Sequence, residues 1–161
     1  MTVTDVRKDP EQCTLTIINE FDASVEQVWQ MWADPRLLER WWGPPAYPAT
    51  VVQHDLHPGG KVTYFMTSPE GDQYHGYWNV VAVDAPHSLE LLDGFADGEG
   101  NANPDMPNTG TSVSISAVDG RTRMVLRSTF SSPEAMAQLM QMGMEEGIQL
   151  ALGQIDALLA G

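Results

Sequence analysis

FDASVEQVWQMWADPRLLERWWGPP, residues 21–45, contains two helix starts and one stop. Ser24 is a natural N-cap, and Gln27 three residues later completes a capping box, in which each side chain satisfies a backbone N–H of the other. Val28, Met31 and Trp32 then recur at helical spacing and form an apolar stripe. Asp34-Pro35 repeats the signal, a capping carboxylate followed by proline at the first helical position. This second helix passes through Leu37 and Leu38 and must stop before Gly43-Pro44-Pro45, where the backbone donors that a helix needs are missing. Immediately upstream, TLTIINEF (14–21) is rich in β-branched residues and places Leu15, Ile17 and Phe21 on one face, a half-buried strand. Residues 1–12 are polar and aperiodic. They read as a flexible N-terminal tail, leaving 13–161 as a single domain.

Downstream, from Thr50 to Phe130, the period changes to two. Val62, Tyr64 and Met66 alternate with Lys61, Thr63 and Thr67, and Tyr74, Gly76, Trp78, Val80 and Ala82 alternate with Gln73, His75 and Asn79. Val113, Ile115 and Ala117 against serines 112, 114 and 116 is the cleanest case. Met124, Leu126 and Phe130 alternate with Arg123 and Arg127. One buried face and one wet face indicate an antiparallel sheet of about six strands in this region. Gly59-Gly60, Asp84-Ala85-Pro86 and Asp119-Gly120 supply turns. Residues 93–110 (DGFADGEGNANPDMPNTG) read as one long loop, a length that usually signals function or mobility. One long helix is predicted over 132–160, capped by Ser131 or Ser132 with Pro133 in its first turn. Its stripe runs Met136, Met140, Met144, Ile148, Leu152, Ile155 and Leu159. Helices segregated to one side of an antiparallel sheet make an α+β fold. The sheet would have to curl around the long C-terminal helix, with the two short helices after the first strand.

Composition narrows the function classes. The chain has 22 acidic and 8 basic residues, a formal charge of −14, and phosphate backbones and anionic lipid bind through clustered Lys and Arg. Nucleic acid and membrane surfaces are therefore poor partners. With 42% hydrophobic and 19% charged residues the chain has the makings of a globular core. No stretch approaches the roughly 20 apolar residues of a membrane span, and MTVTDVRKDPEQ lacks the apolar centre of a signal peptide. Cys13 is the one cysteine, so neither a disulfide within the chain nor a thiolate metal centre is available. A cytoplasmic protein, monomer or homodimer, is expected.

The stretch 21–45, DLHPGG (55–60), Gly76-Tyr77-Trp78, the Asp84-Ala85-Pro86 turn and above all Trp41-Trp42-Gly43-Pro44 resemble the START/SRPBCC superfamily. This is the helix-grip fold shared with birch-pollen-allergen-like proteins. The branch resembled is that of the activator of heat-shock protein 90 ATPase and its bacterial homologues, and LLDGFADGEGNANPDMP (91–107) and MGMEEGIQLALGQIDALL (142–159) look like one bacterial subgroup. The resemblance spans about 14–160. It implies a helix-grip architecture, but the fold hosts binders, cyclases and co-chaperones alike.

Catalytic signatures are scarce. There is no His-Glu-x-x-His, no Gly-x-Ser-x-Gly and no P-loop. Asp97, Glu99, Asn101 and Asn103 alternate as in a calcium loop, yet Ala102 replaces the turn glycine and Asn108 the bidentate glutamate, so a solvated loop is the better reading. His57 and His87 fall in or beside turns. His54 and His75 lie in strands, and His75 shares parity with Gln73 and Asn79, the wet face. No catalytic residue, metal or cofactor is assigned.

The aromatic set Trp41, Trp42, Tyr47, Tyr64, Trp78 and Phe95 fits core packing residue by residue, but together it could line a cavity. Gly143 and Gly147, each about 1 kcal/mol worse than Ala inside a helix, demand an offset, either close backbone approach or room for a guest. Met140, Met142 and Met144 beside them are adaptable side chains. Asn19 and Ser128 share parity with the core and need hydrogen-bond partners, for which a neighbouring strand suffices. The expected function is non-enzymatic binding of an apolar, lipid-, aromatic- or polyketide-like small molecule between sheet and last helix. Trp42, Tyr64, Met66, Trp78, Met140 and Met144 are the candidate ligand-binding residues. The resemblance adds two alternatives, a domain binding a heat-shock protein 90 chaperone, and a cyclase, aromatase or hydrolase acting in the same cavity.

Overall fold

The computed structural model describes residues 3–160. The chain runs β1 (Val3–Asp9), β2 (Thr14–Phe21), α1 (Val25–Ala33), α2 (Pro35–Trp41), β3 (Ala49–His54), β4 (Lys61–Thr67), β5 (Gln73–Asp84), β6 (Ser88–Ala96), β7 (Thr109–Val118) and β8 (Arg121–Phe130). It closes with α3 (Pro133–Gln141), α4 (Met144–Leu152) and α5 (Ile155–Ala160). All strands join one antiparallel, curved sheet of order β1-β2-β8-β7-β6-β5-β4-β3. The α+β helix-grip architecture expected from the sequence is the one observed.

The local helix signals act as read. Ser24 Oγ accepts from the Gln27 N–H at 3.2 Å while Gln27 Oε1 accepts from the Ser24 N–H at 2.9 Å. Asp34 Oδ1 accepts from the Arg36 N–H at 2.9 Å. The α1–α2 pair carries the chain from β2 to the far edge strand β3. There α2 does more than pack. Glu39 Oε1 accepts from the Val51 N–H at 3.0 Å and the Arg36 guanidinium donates to the Val51 carbonyl at 3.0 Å. Two side chains of one helix thus satisfy the open backbone groups of an edge strand, which would otherwise invite another chain.

Three expectations are corrected. Most of the supposed N-terminal tail is strand: Val6 faces Ile17 and Asp9 faces Thr14. The strand is polar because it is an edge. Lys8 Nζ reaches Glu145 of α4 at 2.9 Å, and Val3 and Val6 alone pack against the core. Residues 1 and 2 of that segment, and Gly161, lie outside the described residues. The 93–110 loop is shorter than its composition suggests: β6 continues to Ala96 and β7 begins at Thr109. The C-terminal helix is three segments. Gly143 adopts φ +85° between α3 and α4, a left-handed conformation that favours glycine, so only Gly147 sits inside a helix.

The core is dominated by indoles. Trp32, Trp41 and Trp78 are fully buried. Trp32 meets Trp41 edge-on at 4.8 Å between centroids, and Trp42 meets Trp78 at 4.9 Å, geometries that suit the aromatic quadrupole. Trp41 Nε1 donates to the Met31 carbonyl at 2.9 Å. Gln154 Nε2 donates to the Gly43 carbonyl at 2.8 Å, fastening the C-terminal segment to the turn after α2.

Candidate functional site

Between the inner face of the sheet and α3–α4 lies a cavity of about 300 Å³, at the small end of the ~300–1,000 Å³ typical of small-molecule sites. Tyr64 and Met66 of β4, Gly76 of β5, Asp93 and Phe95 of β6 and Thr109 of β7 form its floor. Trp41, Trp42 and Pro44 make one wall, and Leu139, Met142, Met144, Gly147 and Ile148 the helical side. Tyr74, 57% exposed, and His75 border it where it meets solvent.

Of the candidate residues, Trp42, Tyr64, Met66 and Met144 are on this lining; Trp78 and Met140 are not. Trp78 faces inward as its parity predicts, but Trp42 packs over it and it is 0% exposed. The inward face of α3 is centred on Ala135, Met136 and Leu139, which turns the half-buried Met140 to its flank, and Leu139 and Met142 take the lining positions. Tyr47 stands outside, against Tyr74 at 6.2 Å.

Two polar residues of the lining depart from the sequence expectation. Asp93 opens the stretch expected to be one long loop, yet Leu89, Leu91, Asp93 and Phe95 share one parity, and Asp93 sits in register between Trp78 and Thr109. The Tyr64 hydroxyl donates to Asp93 Oδ1 at 3.2 Å. Burial pushes the Asp93 carboxyl up to about 7, against the lowering effect of the Tyr64 hydroxyl and the Gly94 N–H. Burial, and then the charge of Asp93, hold the Tyr64 phenol well above its ordinary range. Among the described residues the buried indole N–H groups of Trp42 and Trp78 complete no hydrogen bond, although both lie near the Tyr64 oxygen. Gly76 makes the arrangement possible: a Cβ there would collide with the Tyr64 ring.

His75, the second, is expected on the wet face but borders the cavity, with its ring 5.5 Å from that of Phe65. His54 is not beside it, since β4 lies between their strands. The His54 Nε2 instead lies 2.9 Å from the Trp32 carbonyl, a link between α1 and β3. Asn19 Nδ2 donates to the Met124 carbonyl at 3.2 Å, the neighbouring-strand partner expected of it. Ser128 is buried opposite Thr111. Asp97 accepts the Glu99 and Asn101 N–H groups at 2.8 and 2.9 Å, as a loop-shaping carboxylate does. Among the described residues no group of three or more His, Cys, Asp or Glu could hold a metal ion, and no helix is long and apolar enough to cross a membrane.

The family of activator of Hsp90 ATPase homolog 1-like proteins (AHSA1) matches residues 22–160. The chain belongs to this family. AHSA1- and SRPBCC-type structures are its neighbours. It is 54% identical to protein Ms6760 of Mycobacterium smegmatis, over 98% of this chain and 96% of that one, with a TM-score of 0.90. It is 46% identical to a protein of Arthrobacter aurescens, over 99% and 92% of the two chains, with a TM-score of 0.94. The AHSA1 protein of Silicibacter pomeroyi, at 24% identity over 91% and 97% and a TM-score of 0.73, shares the fold. No curated protein matches the chain.

Proposed function

We propose that this AHSA1-family domain binds an apolar small molecule between the sheet and α3–α4, with Trp42, Tyr64, Met66 and Met144 against the guest. The observation that carries the reading is the cavity itself: about 300 Å³, walled by aromatic and methionine side chains, with one hydrogen-bonded polar pair, Tyr64–Asp93, in its floor. Mostly apolar pockets with a few convergent polar groups are the usual form of small-molecule sites. A guest that binds only the folded state raises the melting temperature by mass action. The test is native mass spectrometry of the purified protein together with a thermal-shift screen of hydrophobic compounds. A retained adduct or a clear shift supports the reading. An empty protein with no shift in the whole screen counts against it and favours a protein partner, tested by pull-down with a purified heat-shock protein 90 homologue.

A second reading, chemistry on the guest, is favoured by Asp93: a carboxyl held at about 7 inside a cavity suits proton transfer at neutral pH. Its check is the mass of the captured guest after incubation. A guest released unchanged argues for binding alone.

A further inference from the structure

The polar atoms of the cavity floor are directional. The indole N–H groups of Trp42 and Trp78 lie near the Tyr64 oxygen, and the Tyr64 hydroxyl donates to Asp93. The two indole N–H groups are buried there and complete no hydrogen bond among the described residues, and the Tyr64 hydroxyl is committed to Asp93, so the polar group that the floor offers to a guest is the Asp93 carboxylate. A carboxylate offers about four acceptor sites. Tyr64 and the Gly94 N–H engage it, which leaves capacity facing the cavity. No lysine or arginine is on the lining. The nearby Lys61 is turned away, donating to the Gly100 carbonyl at 2.8 Å and lying over the Tyr77 ring. Asp97, near His75 at the rim, is held below the usual carboxylate range first by the Asn101 and Glu99 N–H groups and only last by His75. Trp42, Tyr64 and Phe95 share the lining with Asp93, and aromatic faces attract cations. The whole chain carries −14, a field that draws cations in and repels anions.

We propose that this cavity selects apolar ligands bearing a protonated amine, with Asp93 receiving the ammonium group and the surrounding aromatic rings receiving the adjoining carbons. The proposal rests on the binding reading above and names the ligand class for the same site. A buried carboxylate without a cation is poorly solvated; an ammonium brought into the cavity restores its charged form. A carboxylate ligand would meet the opposite, two like charges in an apolar space.

The test is a matched series, 4-phenylbutylamine, 4-phenylbutanol and 4-phenylbutyrate, titrated calorimetrically into the full chain at about pH 8, where Asp93, held at about 7, is largely ionised. The expected result is at least about tenfold tighter binding of the amine than of the alcohol, with the acid weakest. In Asp93→Asn the amine and alcohol should come within about threefold of each other while the alcohol is still bound. If the alcohol or the acid binds wild type as well as the amine does, the amine proposal is overturned and the binding reading survives. If none of the three binds and the broader hydrophobic screen is also silent, both fall. The wild-type comparison decides the proposal even if the variant does not fold.

Discussion

At the scale of single residues, Asp93 sets the behaviour of the cavity through a conflict between burial and hydrogen bonding. Its neighbours, the Tyr64 hydroxyl of β4 and the Gly94 N–H of β6, favour the anion, yet burial outweighs them and lifts the carboxyl from 3.8 to about 7. The folded state therefore holds this proton more tightly than the unfolded chain does. The stability gained from it is complete below about pH 3.8, is lost as pH rises through about 7, and changes little above that. At about 1.4 kcal/mol per pH unit the loss is on the order of 4 kcal/mol at most. Melting temperatures of wild type and Asp93→Asn, compared at about pH 5 and about pH 8, should show the larger fall in wild type. Equal falls would mean that Asp93 ionises in the fold as it does in water. The other titratable side chains on the lining are Tyr64, Tyr74 and His75, and the variant leaves them in place.

Two elements carry opposed expectations. Gly143 joins α3 to α4 with φ +85°, so Gly143→Ala forces an L side chain into a left-handed conformation and should cost about 1 kcal/mol. Gly147 lies within α4, and an added Cβ would meet only Pro44 Cγ, at an ordinary 3.8 Å. Gly147→Ala should therefore stabilise by up to about 1 kcal/mol through helix propensity. Urea midpoints of the two variants read the opposite signs directly. The second element is the β3 edge. Glu39→Ala leaves the Val51 N–H without its 3.0 Å partner and should destabilise by about 1–2 kcal/mol, whereas Glu39→Gln keeps an acceptor and should recover most of the loss. If both variants melt alike, the bond to Val51 contributes nothing measurable.

For the whole molecule the excess of 22 acidic over 8 basic residues outweighs its ion pairs. Exposed pairs such as Arg7–Asp5 contribute little, while like-charge repulsion acts over the whole surface. Raising ionic strength from about 0.01 to about 0.15 M, which shortens the screening length from about 30 to about 8 Å, should therefore raise the melting temperature. A fall would mean that attractive pairs dominate. The same contrast between near and far interactions separates what could be read in the chain from what could not. The caps at Ser24 and Asp34 and the alternation of β7 and β8 were legible because each depends on atoms a few residues apart. They settled the α+β class, the order of most elements and the position of Tyr64 and Met66 on an inward face. The strand β1, polar along most of its length, exists only because β2 offers it a partner. Asp93 looked like loop because Gly, Asn and Pro follow it, and only β5 and β7 on either side make it a strand residue facing the cavity. Trp78 is off the lining for a reason remote from its own sequence neighbourhood, the Trp42 indole packed on it, and Leu139 and Met142 stand where Met140 was expected. Local hydrogen bonds and periodicity depend on near neighbours along the chain. Burial, a perturbed carboxyl and the shape of a cavity depend on atoms that only the folded chain brings together.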